Sequence, residues 1–161
     1  MLRISRRSAF SALLLASLLG TLLVSFVGSH QAEGVFVVGK AGAPIAQEVK
    51  QKLAQAYKAQ YGKAAKLDRI EVVNYEGKPW LAFQSGGEGS PTLTIALSVR
   101  QGQWGFSNSA VSNTCTGNPC SWCYFDSNNG CICNRGNGSC NHTQTSGGLK
   151  GMKGFLEVLS I

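Results

Sequence analysis

The chain has no cysteine before Cys115 and almost no charge after Phe106. The first absence takes away the N-terminal cysteine that lipid attachment requires, so lipoprotein anchoring is excluded. The second leaves Asp126 and Arg135 as the only formal charges from Ser107 to Ser146. That stretch is also too poor in large apolar residues to offset its own ordering entropy unaided. Histidine is scarce, with His30 and His142 alone. The eight carboxylates are scattered, and no two are spaced as an acid/base pair, so no hydrolytic constellation emerges. An enzyme is not the expected reading. Nucleic acid is not an expected partner either: the formal net charge is +7, but Arg3, Arg6 and Arg7 supply part of it at the extreme N-terminus, and the remainder is mildly basic.

The three early arginines have a meaning of their own. They precede an apolar run from Ala9 to Val27, and Val27-Gly28-Ser29 offers short side chains for cleavage. This is the layout of a signal peptide over residues 1–29. Ser5-Arg6-Arg7 resembles the start of a twin-arginine signal, with Ala9 standing where that pattern has phenylalanine. The run is also long enough to stay in a bilayer as an uncleaved N-terminal anchor, and the arginines would then hold everything after it outside the cytoplasm. Either way the expected location is periplasmic or extracellular, with membrane met only through that segment.

Residues 30–106 read as a small α+β domain. Val35-Phe36-Val37-Val38 is a short strand candidate ended by Gly39 and Gly42. Pro44 suits a first helical position, and Ile45, Val49, Leu53, Tyr57 and Tyr61 recur every four residues up to Gly62. That predicts one amphipathic core helix. Leu67–Tyr75 and Trp80–Gln84 flank the turn Glu76-Gly77-Lys78-Pro79, with Pro79 expected to delay the second strand. Leu93, Ile95, Leu97 and Val99 alternate with Thr92, Thr94, Ala96 and Ser98, the pattern of a strand with one buried and one polar face. Ser85–Pro91 is glycine-rich but joins two strands, which makes it a connector and not a phosphate loop.

All six cysteines lie between residues 115 and 140, spaced C-x4-C-x2-C-x7-C-x-C-x6-C. An even set in an exported chain predicts three disulfides among Cys115, Cys120, Cys123, Cys131, Cys133 and Cys140, with the pairing left open. Closing a loop of ~15 residues contributes on the order of 3 kcal/mol, so three closures can hold residues 107–146 as a cysteine-rich loop module. The alternatives use the same sulfurs for metal or redox chemistry. Cys120, Cys123, Cys131 and Cys133, or Cys140 with His142, can supply a zinc site. Cys115, Cys120 and Cys123 resemble plant-type ferredoxins in their C-x4-C-x2-C spacing, which implies an iron–sulfur cluster, although Asn118 and Trp122 depart from that family's preferences. Cys120-Ser121-Trp122-Cys123 has thioredoxin-like spacing within a loop-rich stretch. Copper is a further option: cleavage after Ser29 would make His30 a new N-terminus able to act with His142.

Trp122, Tyr124 and Phe125 form the candidate binding platform, for a protein or a glycan. Asn137-Gly138-Ser139 and Asn141-His142-Thr143 match glycosylation sequons. The tail, 147–161, contains Phe155-Leu156-Glu157-Val158-Leu159 and is expected as an edge strand. The sequence therefore predicts an α+β fold: one amphipathic helix on a small antiparallel sheet, followed by a disulfide-rich loop module. The expected role is a non-catalytic binding or structural component with no resident cofactor.

Overall fold

A computed structural model describes residues 34–161, apart from Gly86, Glu88, Gly89, Pro119, Ser121, Gly136 and Asn137. The expected signal segment, His30, Asn137 and much of the glycine-rich connector lie outside the described residues. The four-residue apolar recurrence does form a helix, α1 (Gln47–Tyr61), whose buried face is Leu53, Ala56 and Tyr57. It begins after Ile45 rather than at it, with Lys50 N donating to Ala46 O at 3.0 Å. Gly62, at φ 97°, ends it by donating its N–H to Lys58 O at 2.9 Å, a conformation that favours glycine.

Among the described residues this helix is accompanied by ten strands: β1 (Val35–Lys40), β2 (Leu67–Tyr75), β3 (Lys78–Ser85), β4 (Thr92–Ala96), β5 (Ser98–Arg100), β6 (Gln103–Ser107), β7 (Ser112–Asn118), β8 (Trp122–Phe125), β9 (Cys131–Arg135) and β10 (Ser139–Thr145). They form three antiparallel sheets, ordered β1-β6-β5, β10-β7-β4-β3-β2 and β8-β9. The β2–β3 hairpin turns through Glu76 and Gly77 at φ 51° and 76°, the positive pair that a two-residue type I′ turn requires. Gln101 and Gly102 repeat the device between β5 and β6 at φ 51° and 72°.

Pro79 does not delay β3, which starts at Lys78. Pro79 lies opposite Asn74 in the register, and its carbonyl accepts Leu97 N at 3.0 Å on the side away from β2. No ladder bond to β2 is asked of its missing N–H. The alternation through Val99 does not mark one strand either. The chain leaves the five-stranded sheet at Leu97 and enters the three-stranded one as β5, where Val99 is 55% exposed.

The C-terminal tail corrects the expectation of an edge strand. It forms a 3-10 turn (Leu149–Gly151) and a second helix, α2 (Lys153–Leu159). Phe155 and Leu159 are buried in α2 at helical spacing, with Met152 just before it. Gly154 lets α2 approach α1 closely, since a methyl there would sit 2.7 Å from Ala59 O. The expected fold class is thus right as α+β, but the described residues form two α-helices, and the cysteine-rich segment is stranded rather than looped. β7 and β10 are its contribution to the large sheet.

One face of the five-stranded sheet packs on the helices. Tyr57 stacks on Phe83 with ring centroids 5.9 Å apart, and Phe83 meets Phe155 edge-on at 5.6 Å. Leu81, Leu93, Ile95, Leu53 and Leu159 complete this core. Each such side chain contributes roughly 2 kcal/mol of burial free energy. The opposite face is covered by the cystine segment, so the polar side of β4 is buried too: Thr92 and Thr94 have no exposure.

Candidate binding groove over the cystine layer

The three disulfides pair Cys115 with Cys131, Cys120 with Cys133 and Cys123 with Cys140, at Cα separations of 5.6, 5.8 and 6.0 Å. First joins fourth, second joins fifth and third joins sixth, so every bridge interlaces with the other two along the chain. Together they fasten β7 to the start of β9 and β8 to β10. A small second core fills the space beneath, made of Tyr75, Phe125 and the buried Cys115, Cys120 and Cys123. Three disulfides are a mark of oxidising compartments, and among the described residues no helix is long and apolar enough to cross a membrane.

Hydrogen bonds tie this layer to the sheet. Thr92 Oγ1 donates to Cys123 O at 2.7 Å and accepts Ser85 N at 3.2 Å. Asn113, also without exposure, accepts His142 Nε2 at 3.1 Å through Oδ1. Asp126, one of the two charges in the segment, organises the β8–β9 turn: its Oδ1 accepts Asn128 N at 2.9 Å and Gly130 N at 2.7 Å. This carboxylate is held by amides as a turn clasp.

The pairing bears on each sulfur-based alternative. Sγ atoms of Cys115, Cys131 and Cys140 lie within 4.8 Å of one another, as do those of Cys120, Cys133 and Cys140. All six sulfurs are engaged in bridges, and a bridged sulfur is not the thiolate that zinc or a cluster needs. The ferredoxin-like trio, Cys115, Cys120 and Cys123, is divided among three bridges. Cys120 and Cys123 are not joined to each other, and Cys123 lies in β8 rather than at a helix start. His142 directs Nε2 at an amide oxygen and its ring edge-on to Phe125 at 5.5 Å.

The aromatic trio does not share one environment. Phe125 is only 5% exposed and belongs to the second core, whereas Trp122 and Tyr124 are half-buried. Trp122 is anchored by its Nε1, which donates to Ser85 O at 3.1 Å. Beside these rings runs an open groove of about 560 Å³, lined also by Asp68, Arg69, Gln84 and Asn134. Arg69 Nε lies 3.0 Å from Glu71 Oε1, pairing an exposed guanidinium with a half-buried carboxylate at the rim. Asp68, Arg69, Gln84 and Asn134 come from β2, β3 and β9. No local motif in the sequence announced them, because only the packing of the cystine layer on the sheet brings them to Trp122 and Tyr124.

Aromatic faces beside carboxylate, guanidinium and carboxamide groups suit a ligand with apolar faces and many polar edges. Comparison with protein-family models, curated proteins and solved structures gives no match to this chain.

Proposed function

We propose that this is an exported, non-catalytic binding protein whose ligand occupies the groove beside Trp122 and Tyr124. The ligand class is a glycan, or a protein segment, met at the cell surface or in the periplasm. The observation that carries the reading is the convergence of two half-buried aromatic rings with four polar side chains around about 560 Å³ of open space. A strand locked by a cystine presents the rings, so little order is lost on binding. The export part rests on the N-terminal charge and hydrophobicity pattern together with the three bridges.

The test is titration of the native protein against a panel of soluble polysaccharides and surface-protein extracts, repeated with Trp122→Ala and Trp122→Phe. Loss of the ring is expected to weaken binding roughly tenfold or more, whereas Phe retains a face and part of the affinity. Unchanged binding by Trp122→Ala, with an unchanged melting temperature, refutes the groove. The metal and redox alternatives are checked by the intact mass under denaturing, non-reducing conditions. Full bridging makes the chain lighter by one hydrogen per cysteine; an all-thiol mass would reopen those alternatives, and a native N-terminus other than His30 ends the copper option.

A further inference from the structure

Among the described residues, the five-stranded sheet ends on one side at β2, which pairs only with β3. Among the described residues, β2 is the longest strand at a sheet edge, and it contains no proline, glycine or lysine. Proline and lysine are among the devices that ordinarily blunt an edge; β2 has instead the charges Asp68, Arg69 and Glu71 and a register irregularity at its start, between Leu67 and Arg69, beyond which its ladder runs regularly to Tyr75. The other edge of this sheet, β10, is shorter and nearly all polar, while β2 carries Ile70, Val72 and Val73. Open cavities border β2 along its length: about 560 Å³ at Asp68 and Arg69, about 210 Å³ between α1 and Leu67–Ile70, and about 360 Å³ at Ile70–Val72. Space therefore exists beside the edge for the side chains of an added strand.

Which amides of β2 are free follows from its hairpin. Tyr75 and Lys78 close a two-residue type I′ turn, so they exchange ladder bonds, and the bonding residues of β2 alternate back from there. Val73 and Glu71 face β3, while Asn74, Val72 and Ile70 direct N–H and C=O outwards. Pro79, opposite Asn74, checks the parity independently, since its carbonyl turns towards β4 to accept Leu97 N.

We propose that β2 pairs antiparallel with β2 of a second copy of this chain, about a two-fold axis at Ile70. The outward amides allow axes at Ile70, Glu71 or Val72 in the middle of the strand. An axis at Glu71 sets two like carboxylates opposite each other, which is destabilising. An axis at Val72 sets Glu71 against Val73. Only the axis at Ile70 sets Arg69 of each copy opposite Glu71 of the other. Arg69 and Glu71 already lie together on one face, 3.0 Å apart, so pairing joins two such pairs into a four-charge cluster of alternating sign. The symmetry also keeps the cystine layers of both copies on the same face of the joined sheet. A ligand long enough to reach both grooves would then be held bivalently; that consequence rests on the groove reading, whereas the pairing itself does not.

The test uses the native protein and the charge reversals Arg69→Glu and Glu71→Arg, followed by sedimentation across a concentration series. The native chain is expected to dimerise reversibly, and each reversal alone to weaken dimerisation roughly tenfold or more. An equimolar mixture of the two variants restores complementary charges at both positions, so it is expected to form a heterodimer. The double variant R69E/E71R is expected to dimerise as the native chain does. Hydrogen exchange on Ile70 and Val72 amides reads the paired edge directly, and melting curves verify that every variant folds. A native chain that stays monomeric at all concentrations overturns the proposal, as does a dimer that survives either single reversal or a mixture that fails to associate.

Discussion

Thr92 is one of the points where the cystine layer is fastened to the sheet, and replacing it by valine isolates that one fastening. The exchange keeps shape and removes one hydroxyl. In the folded protein that hydroxyl donates to Cys123 O at 2.7 Å, accepts Ser85 N at 3.2 Å and has no solvent exposure. Thr92→Val therefore strands a buried carbonyl and a buried amide with no water to replace the lost partner. Each stranded group costs about 1–3 kcal/mol, while the added methyl recovers a little through burial. The expected loss is about 3 kcal/mol, a large share of the stability of a domain of this size. Thr94→Val serves as the comparison, because its bonds to Asn129 Oδ1 and from Asn113 Nδ2 span 3.4 and 3.5 Å. It should lose about 1 kcal/mol. The assay is urea unfolding with disulfides intact, followed by both tryptophan fluorescence and far-ultraviolet circular dichroism. One transition with an unchanged denaturant slope and a lowered midpoint is expected for both variants. A Thr92→Val loss under about 0.5 kcal/mol, or two separate transitions, would refute the claim that this layer and the sheet form one cooperative unit.

Gly154→Ala pits helix propensity against packing: alanine favours the helix by about 1 kcal/mol, but its methyl would lie 2.7 Å from Ala59 O and 3.0 Å from Ala59 C. A net destabilisation of about 1–3 kcal/mol is expected by thermal melting, and a stabilised variant would show that α1 and α2 are not in close contact there. Burial raises the ionisation of Tyr57, Tyr61 and Tyr75 above the ordinary phenol value, with Tyr61 close to Tyr57 and the Glu71 and Asp126 carboxylates close to Tyr75 adding to it. Their contribution to stability is complete below about pH 10, where unfolded tyrosine ionises, and is lost as pH rises further, because the unfolded chain releases its protons first. Rapid pH-jump absorbance should show tyrosinate formation at Tyr57, Tyr61 and Tyr75 delayed beyond pH 10 and a falling unfolding midpoint over the same range; ionisation of all three in the native protein near pH 10 contradicts the burial described.

What could be read from the sequence, and what could not, divides along a physical line. Ile45, Val49, Leu53 and Tyr57 announced α1 because a helix packed on one side repeats its apolar residues at its own pitch. The β2–β3 hairpin was legible from Glu76-Gly77 between apolar runs. The 155–159 run contains too few residues for helical period and strand alternation to separate, and the deciding contacts with α1 are tertiary. β7 and β10 carried no strand signal, since Ser112–Asn118 buries Cys115 with the polar Ser112 and Asn113 instead of aliphatic side chains, and Ser139–Thr145 is polar and exposed apart from the half-buried Cys140. For the groove, the aromatic cluster Trp122, Tyr124 and Phe125 was conspicuous, though Phe125 is mostly buried, and the polar rim could not be found at all. Asp68 and Asn134 stand far apart in the chain and meet only through folding.

The interlaced bridges also determine what becomes of this protein after a protease has found it. A single backbone cut anywhere between Cys115 and Cys140 is spanned by at least one cystine, and a cut in the β8–β9 turn, between Cys123 and Cys131, is spanned by all three. The nicked chain stays one molecule, with the new ends held beside each other and Trp122 still fixed on the sheet. Damage in this segment therefore need not end in release of fragments, and a nicked copy shows two pieces on a gel only after reduction. Outside a cell, where peptide bonds are broken more readily than cystines, such a segment can outlast the continuity of its own chain.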